Sequence, residues 1–261
     1  MGEGLAARAM VRGILFDLVQ TLGDAAEGFR AAERQAQESI YAHLGLEGWE
    51  DFLLRYRSLR RAFHDQAGYS RAEMWAWLYG QYGAAAPLRR LRRWEERYWR
   101  RVEEAMAPFP EAGEVLEALA SRYRLAVVTN SRRRGKGHPL AFAAFCGLER
   151  YFQAVVVGGT GDLPAKPAAE PFLLCLRRLG LSAAEAVYVG DDWQIDVCGA
   201  RAAGLQPVWL KHYSVSRSWP REEDARVPVI TTLRALLDLE GLLPAASPPP
   251  PCPVDPPLGL E

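Results

Sequence analysis

A short apolar run near the start of the chain ends in a carboxylate. Residues 14–16 are Ile, Leu and Phe, and Asp17 follows them within VRGILFDLVQTLGD, residues 11–24. A continuous apolar run of this length is typical of a strand that is buried on both faces of a parallel sheet. Thr21 and Gly23 then favour a turn. Asp17 is therefore predicted at the carboxyl edge of a sheet, where open α/β folds bind their ligands.

The pattern becomes helical from residue 25 to residue 106 and shows no strand-like alternation. Four helices are predicted, at 32–44, 50–64, 71–82 and 88–106. A segment of this length is far too long for a loop, so we interpret it as an inserted helical domain. Five tryptophans lie in it. Core packing is the favoured interpretation of these side chains, and an aromatic wall facing a substrate is the alternative.

Strands and helices alternate in the rest of the chain. Strands are predicted at 125–128, 154–157, 186–189, 206–210 and 229–230, and helices at 111–121, 140–148, 169–179, 193–203 and 232–239. This alternation predicts an α/β fold in which a Rossmann-like parallel sheet has helices on both faces. Residues 1–10 are expected to be a disordered leader, and the proline-rich residues 244–261 a disordered tail.

Charge and cysteine usage exclude several classes of protein. The 32 basic and 32 acidic residues give a net charge of zero, which argues against a general nucleic-acid or membrane-surface binder. No apolar run is long enough to span a membrane, and no signal peptide is evident. The four cysteines lack the spacing of a zinc site or of a disulfide framework. A cytoplasmic protein with reduced thiols is therefore expected.

Polar side chains follow several of the predicted strands. They are Asp17, Thr129 and Asn130, Lys166 just before a helix, and Asp191, Asp192 and Asp196. Singly, each has an ordinary explanation, such as a helix cap for Asp191. Because parallel strands present their carboxyl ends at one edge, these groups are expected to converge. Such a set provides a carboxylate nucleophile, oxygen ligands for Mg²⁺, and cationic and hydroxyl groups for a phosphoryl group.

These motifs, in this order and with a helical insertion after the first strand, resemble the haloacid dehalogenase-like (HAD) hydrolase superfamily. The resemblance covers residues 11–243 and is closest in VGDDWQIDVCGARAAGL and in the KPxxxxF spacing that begins at Lys166. It implies a HAD-like Rossmann core formed by residues 11–24 and 107–243. Residues 25–106 correspond to the helical C1 cap of that superfamily.

The resemblance also implies roles for the residues that bind substrate. Asp17 is expected to be the nucleophile that forms an aspartyl-phosphate. Thr129 and Lys166 are expected to bind the transferring phosphoryl group, with Lys166 also restraining the carboxylates. Asn130 is expected to line the substrate cavity.

A Mg²⁺ cofactor follows from the same resemblance. Its expected ligands are the carboxylates of Asp17 and Asp191 and the backbone carbonyl of Val19. Asp192 and Asp196 are expected to support the metal shell. The implied partner is a small phosphorylated substrate, with no nucleic acid and no membrane, and the chain is expected to be a monomer or a homodimer.

One position departs from the pattern of the family. Its phosphatases carry a general acid/base aspartate two residues after the nucleophile, where this chain has Val19, and Gln20 replaces the usual glycine. Loss of a general acid/base costs about 10²–10⁴-fold in rate. A phosphatase on a small metabolite is the favoured interpretation. The alternatives are a catalytically impaired protein that binds a phospho-ligand or a protein partner, and a haloacid dehalogenase-type hydrolase, which the metal-suited acidic cluster disfavours.

Overall fold

The computed structural model describes residues 10–65, 70–130, 147–215 and 224–243 together with Cys252. These residues divide into two compact units. A helical unit consists of the described residues of 25–106, and a core unit contains the remaining described residues. Within the part of the chain that is described, no helix is long and apolar enough to cross a membrane.

The core unit is built on a six-stranded parallel sheet. Its strands are β1 (Gly13–Phe16), β4 (Arg124–Asn130), β5 (Phe152–Gly158), β6 (Ala186–Gly190), β7 (Gln206–Leu210) and β8 (Val229–Ile230). They lie side by side in the order β5-β4-β1-β6-β7-β8. Every residue of β1 and β6 is buried, as the continuous apolar runs predict for central strands. The predicted α/β fold with a parallel sheet is confirmed.

A second, two-stranded antiparallel ribbon was not predicted from the sequence. It joins β2 (Gly23–Asp24) to β3 (Ala107–Pro108) within the core unit. Each strand has only two residues, which is too short for a recognisable alternation of apolar and polar positions. The ribbon pairs the two residues directly before the helical insertion with the two residues directly after it.

Helices precede, separate and follow the strands of the sheet along the chain. They are α5 (Ala112–Ala120), α6 (Glu170–Leu179), α7 (Cys198–Ala202) and α8 (Leu239–Leu242), with short 3₁₀ segments at Glu149–Tyr151, Ala183–Glu185 and Leu233–Asp238. The apolar side chains of Leu15, Val128, Phe172 and Tyr188 meet in one buried cluster. This cluster fixes α6 against the central strands and holds their carboxyl ends in place.

Two segments of the core unit that were predicted as α-helices have a different helical winding in the structure. The helix predicted at 193–203 begins as a π-helix, Trp193–Val197, and only then continues as α7. The last predicted helix, 232–239, is mostly 3₁₀. Both windings keep a roughly helical apolar period, so the sequence pattern does not distinguish them from α-helix. The helix predicted at 140–148 lies almost entirely outside the described residues.

Four helices form the helical unit: α1 (Ala26–Leu44), α2 (Trp49–Asp65), α3 (Arg71–Gln81) and α4 (Leu88–Glu104). Helices α1 and α4 approach closely at Gly28, where an added Cβ atom would lie 2.9 Å from the Cα atom of Val102. Trp75 and Trp99 are buried within the unit. For these two tryptophans the structure agrees with the core-packing interpretation.

The expectation of reduced thiols was wrong for one pair of cysteines. Cys198 and Cys252 form a disulfide with a Cα–Cα distance of 5.3 Å, inside the ordinary range for such bonds. The two residues are 54 positions apart, so local spacing gave no sign of the pairing. Cys252 packs against the buried cluster that contains Trp193 and Trp209. Cys175 is a buried free thiol, and burial raises its pKa to about 12.

Candidate active site

The carboxyl ends of the three central strands bring the predicted polar residues to one edge of the sheet. Phe16 in β1 lies opposite Val127 in β4 and Val189 in β6. Asp17 therefore follows β1 at the level of Val128 and Gly190, and Thr129 and Asp191 lie one residue further towards the carboxyl edge. The side chains of Asp17, Thr129 and Asp191 are all buried. This is the edge at which parallel α/β sheets bind ligands.

Lys166 is the centre of the hydrogen-bond network at this edge. Its ammonium group donates to Asp17 Oδ1, Asp196 Oδ1 and the Tyr188 hydroxyl, each at 2.7 Å. A lysine ammonium has three N–H donors, so these contacts engage all three. The side chain is only 2% exposed. Burial opposes its charge, but the carboxylates of Asp17 and Asp196 outweigh burial and raise the pKa of Lys166 above its ordinary value.

Asn130 fixes the main chain of Lys166 from both sides. The Asn130 amide donates from Nδ2 to the Lys166 carbonyl at 3.0 Å, and its Oδ1 accepts the Lys166 N–H at 2.7 Å. Gly158 leaves the room for this arrangement, because an added Cβ atom would lie 2.8 Å from Asn130 Oδ1. The geometry therefore makes Asn130 a positioning residue for Lys166. Its place in a substrate cavity stays a prediction.

Three buried carboxylates are grouped closely enough to share a cation. Asp17, Asp191 and Asp196 offer oxygen atoms that all lie within 4.8 Å of one another. Carboxylate oxygens are the ligands that Mg²⁺ prefers, so this donor set fits the predicted metal.

The two oxygens of Asp196 already accept several protein hydrogen bonds. Oδ1 accepts from Lys166 and, at 2.9 Å, from the Tyr188 hydroxyl, while Oδ2 accepts the Asp192 N–H at 3.0 Å. Burial raises the pKa of Asp196 to about 6, and Lys166 opposes this rise. Asp192 in turn caps the π-helix by accepting the Ile195 N–H at 3.0 Å. These bonds hold the side chains of Asp196 and Asp192 in place at this edge of the sheet.

Three residues at this edge were not predicted from the sequence. Tyr188 bonds both Lys166 and Asp196, and burial raises its pKa well above the ordinary value. The Trp209 indole donates to the Asp191 carbonyl at 2.9 Å and so fixes the main chain there. The third residue is Gly190. Only Tyr188 gave a signal in the sequence, since it is a tyrosine inside an apolar strand. A buried hydroxyl requires a hydrogen-bond partner, so a polar contact could have been expected there.

Gly190 is expected to be irreplaceable even by alanine. An added Cβ atom would overlap the Asp196 side chain and lie 2.6 Å from its Oδ2. The Gly190→Ala variant should lose about 1–3 kcal/mol of unfolding free energy through overpacking. Displacement of Asp196 from Lys166 should lower the rate by about 10²-fold. Urea unfolding and steady-state kinetics measure both effects.

Gly113 provides the matched control for this substitution. It lies in α5, where an added Cβ atom meets nothing within 4 Å. Gly113→Ala should therefore keep full activity and gain up to about 0.5 kcal/mol, since alanine favours helix. Equal behaviour of the two alanine variants would contradict the packing argument at Gly190.

The turn after Asp17 has an unusual backbone conformation at Gln20. Its φ angle is 66°, the only positive value at a non-glycine among the described residues. The Gln20 N–H donates to the Gly23 carbonyl at 2.8 Å, and the Leu22 N–H donates to the Leu18 carbonyl at 3.0 Å. These bonds close a tight turn. Val19, two residues after Asp17, lies in this turn and is partly buried.

Glycine should be tolerated better than alanine at position 20. The left-handed conformation costs an L-residue about 1–2 kcal/mol, and the greater unfolded-state freedom of glycine offsets about 0.4–1 kcal/mol. Gln20→Gly is therefore expected to exceed Gln20→Ala in unfolding free energy by about 0.5–1 kcal/mol. Urea denaturation measures the unfolding free energy of the two variants. Both lack the glutamine side chain, so their difference reports the backbone conformation alone. A more stable alanine variant would show that the turn relaxes to a negative φ angle.

Comparisons with known proteins agree with this architecture. A family model for haloacid dehalogenase-like hydrolases matches residues 11–204. The phosphoglycolate phosphatase of Salmonella paratyphi A is 33% identical over 218 residues, covering 77% of this chain and 82% of that protein. The Escherichia coli K12 phosphoglycolate phosphatase is 31% identical over 218 residues, which again cover 77% of this chain and 82% of that protein.

Solved structures give the same result at the level of the fold. The HAD phosphatase from Thermococcus onnurineus has a TM-score of 0.59 at 23% identity and covers 89% of this chain and 99% of that chain. The Bacillus subtilis protein YfnB, in a crystal form bound to magnesium, has a TM-score of 0.61 at 25% identity, with coverage of 88% and 98%.

The parallel sheet carries carboxylates and a lysine at its carboxyl edge, which is the arrangement of an α/β enzyme. The relatives named above are hydrolases. The match over residues 11–204 and the identity to the phosphatase relatives then fix the family. The chain belongs to the haloacid dehalogenase-like hydrolases, as the sequence motifs indicated.

Proposed function

We propose that this hydrolase is a Mg²⁺-dependent phosphatase that acts on a small phosphorylated molecule through an aspartyl-phosphate at Asp17. The observation that carries the proposal is the buried contact of Asp17 Oδ1 with Lys166 Nζ at 2.7 Å, beside two further carboxylates. The named activity of the phosphoglycolate phosphatase relatives supports the same reaction class.

Each residue at the edge has a distinct task in this mechanism. Asp17 attacks phosphorus with a carboxylate oxygen, because Lys166 orients the carboxylate through its other oxygen. Lys166 also places positive charge where the phosphoryl oxygens bind, and Thr129 adds a hydroxyl donor at the end of β4. Tyr188 and Asp196 hold the Lys166 ammonium in position. Asn130 holds its main chain.

The metal assignment is supported by the donor set and by a relative. Asp17 and Asp191 would hold Mg²⁺ together with the Val19 carbonyl, and Asp192 and Asp196 would support that shell. A bound Mg²⁺ neutralises phosphoryl charge and orients the substrate. The crystal structure of the Bacillus subtilis relative is bound to magnesium. This agrees with the chemistry of the buried carboxylates.

Removal of Mg²⁺ is expected to abolish most of the activity. Treatment with EDTA should lower p-nitrophenyl phosphate hydrolysis by at least about 10²-fold, since a Lewis-acid metal contributes several kcal/mol. Added Mg²⁺ should restore the rate. Asp191→Asn should raise the Mg²⁺ concentration for half-maximal activity by about tenfold or more, whereas the same change at the exposed Asp162 should have no effect. Full activity in EDTA would refute the metal assignment.

Val19 supports a second candidate function. With an aliphatic side chain at this position, the chain could be a catalytically impaired member that binds a phospho-ligand or a protein partner. The complete set of Asp17, Lys166 and Asp191 argues for the enzyme, because a binding protein does not require the nucleophile. A chain that binds phosphate but fails to hydrolyse any phosphate compound would establish the second function.

The helical unit is proposed to be a C1-type cap. Residues 25–106 are inserted between the strand that carries Asp17 and the strand that carries Thr129, which is the position of such caps in the superfamily. A cap of this kind would select the part of the substrate that does not react. The cytoplasmic location and the monomeric or homodimeric state stay predictions.

A further inference from the structure

The protons of two side chains in the network around Asp17, those of Lys166 and Tyr188, are already donated to other groups. Lys166 donates its three N–H bonds to Asp17, Tyr188 and Asp196. The single proton of the Tyr188 hydroxyl points to Asp196 at 2.9 Å or to the Val128 carbonyl at 3.1 Å. Neither group has a proton to give to a departing oxygen without breaking the network that holds the nucleophile.

The turn that follows the nucleophile, residues 18–23, also carries no carboxyl, imidazole or ammonium group, and its one hydroxyl, that of Thr21, is too weak an acid to protonate a leaving group. Two backbone hydrogen bonds, from Gln20 to Gly23 and from Leu22 to Leu18, tie the residues after Asp17 into a tight loop. Val19 is the residue that this loop holds two positions from the nucleophile. Its side chain is entirely hydrocarbon and can neither donate a proton nor activate water.

We propose that this site is specific for phosphoryl donors whose leaving group departs as a stable anion, namely acyl, enol and aryl phosphates, rather than for alkyl phosphates. The inference rests on the proposed function at Asp17 and narrows its substrate class. It also separates the chain from its phosphoglycolate phosphatase relatives, because phosphoglycolate is an alkyl phosphate. Position 19 is then a determinant of leaving-group specificity.

The chemical steps balance without an internal acid. A carboxylate oxygen of Asp17 forms a bond to phosphorus while the bond from phosphorus to the leaving oxygen breaks, and the electron pair stays on that oxygen. The leaving group departs as a carboxylate, enolate or phenolate. Water then attacks phosphorus and loses its proton to bulk solvent. The bond from phosphorus to Asp17 breaks with its electron pair returning to the carboxylate, and inorganic phosphate is released.

The rate of the first step should therefore depend steeply on the basicity of the leaving group. A general acid neutralises the departing oxygen in the transition state and is worth about 10²–10⁴-fold. This contribution is largest for a strongly basic alkoxide and smallest for a weakly basic anion. Without the acid, alkyl phosphates lose most and activated phosphates lose little, which produces the selectivity.

A series of phosphate compounds tests the proposal with Mg²⁺ present. The series comprises acetyl phosphate, p-nitrophenyl phosphate, phenyl phosphate and 2-phosphoglycolate, and kcat/KM is measured for each. For each protein the preference is the ratio of kcat/KM for acetyl phosphate to kcat/KM for 2-phosphoglycolate. This ratio should be at least about 10²-fold larger in the wild type than in Val19→Asp. Val19→Asn, which has the shape of aspartate without an acidic proton, should retain the steep preference of the wild type.

A second measurement needs only the wild-type enzyme. Because no proton moves while the leaving group departs, kcat/KM for p-nitrophenyl phosphate should show no solvent deuterium isotope effect. A normal isotope effect, or equal rates for acetyl phosphate and 2-phosphoglycolate, would overturn the inference while leaving the phosphatase itself intact. If the wild type hydrolyses none of the four compounds faster than Asp17→Asn does, the proposed function is overturned as well.

Discussion

Replacing Lys166 by methionine is expected to lower both the stability and the activity of the enzyme. The substitution leaves Asp17 and Asp196 buried together without the cation that they share. Removing one partner of a buried ion pair costs about 3–5 kcal/mol. The loss of positive charge beside the phosphoryl group should lower kcat by a further factor of about 10²–10³. Urea unfolding and p-nitrophenyl phosphate kinetics measure the two effects separately.

Lys211 supplies the matched control. Its ammonium lies 3.9 Å from the centre of the Trp209 ring and it is only partly buried. Lys211→Met should cost no more than about 1 kcal/mol and should leave kcat within a few-fold of the wild type. If the two methionine variants lose equal stability, the ion-pair argument at Lys166 fails.

A double variant distinguishes the charge effect from general damage to the core. Adding Asp196→Asn to Lys166→Met removes one of the two uncompensated carboxylates and should recover part of the lost stability. Activity should not recover, because the cation that is proposed to stabilise the phosphoryl group is still missing. A double variant less stable than Lys166→Met would contradict this assignment of charge.

Asp17→Asn is expected to abolish turnover while preserving the fold. Asparagine has the same shape as aspartate but is a poor nucleophile, so kcat/KM should fall by about 10⁴-fold or more. Lys166 keeps its contacts with Asp196 and Tyr188, so the far-ultraviolet circular dichroism spectrum should be unchanged. Steady-state hydrolysis of p-nitrophenyl phosphate with Mg²⁺ gives the rate.

Asp24 provides a control carboxylate from the same segment of the chain. It lies in β2, seven positions after Asp17, and takes part in the two-stranded ribbon through its main chain. Asp24→Asn should change kcat/KM by no more than a few-fold. A comparable loss in both variants would mean that negative charge in this segment, rather than the nucleophile, supports the activity.

The sequence predicted the sheet and its polar edge because both depend on local patterns. Apolar runs that end in a polar residue identify the ends of parallel strands, as at Asp17 and Thr129. Because parallel strands share one carboxyl edge, their adjacency in space follows from strand direction alone. The structure places Asp17 and Asp191 with oxygens within 4.8 Å of one another, which this reasoning anticipated.

The contacts that organise the edge could not be predicted, because they join residues distant in the sequence. Tyr188 looks like an ordinary core aromatic until its hydroxyl is seen to bond Lys166, 22 positions earlier. Gly190 looks like a turn residue, and only the overlap with Asp196 shows why a side chain is excluded. The pairing of Cys198 with Cys252 likewise depends on packing that no local spacing encodes.

The most direct test of the proposed mechanism is to trap the phosphorylated enzyme. Wild-type enzyme and Asp17→Asn are mixed with acetyl phosphate and Mg²⁺, quenched in acid, digested and analysed by mass spectrometry. The mechanism predicts that the wild-type peptide containing Asp17 gains the mass of one phosphoryl group and that the asparagine variant does not. An active wild type with phosphate on a different residue, or phosphorylation that persists in Asp17→Asn, would contradict the assignment of Asp17 as the nucleophile.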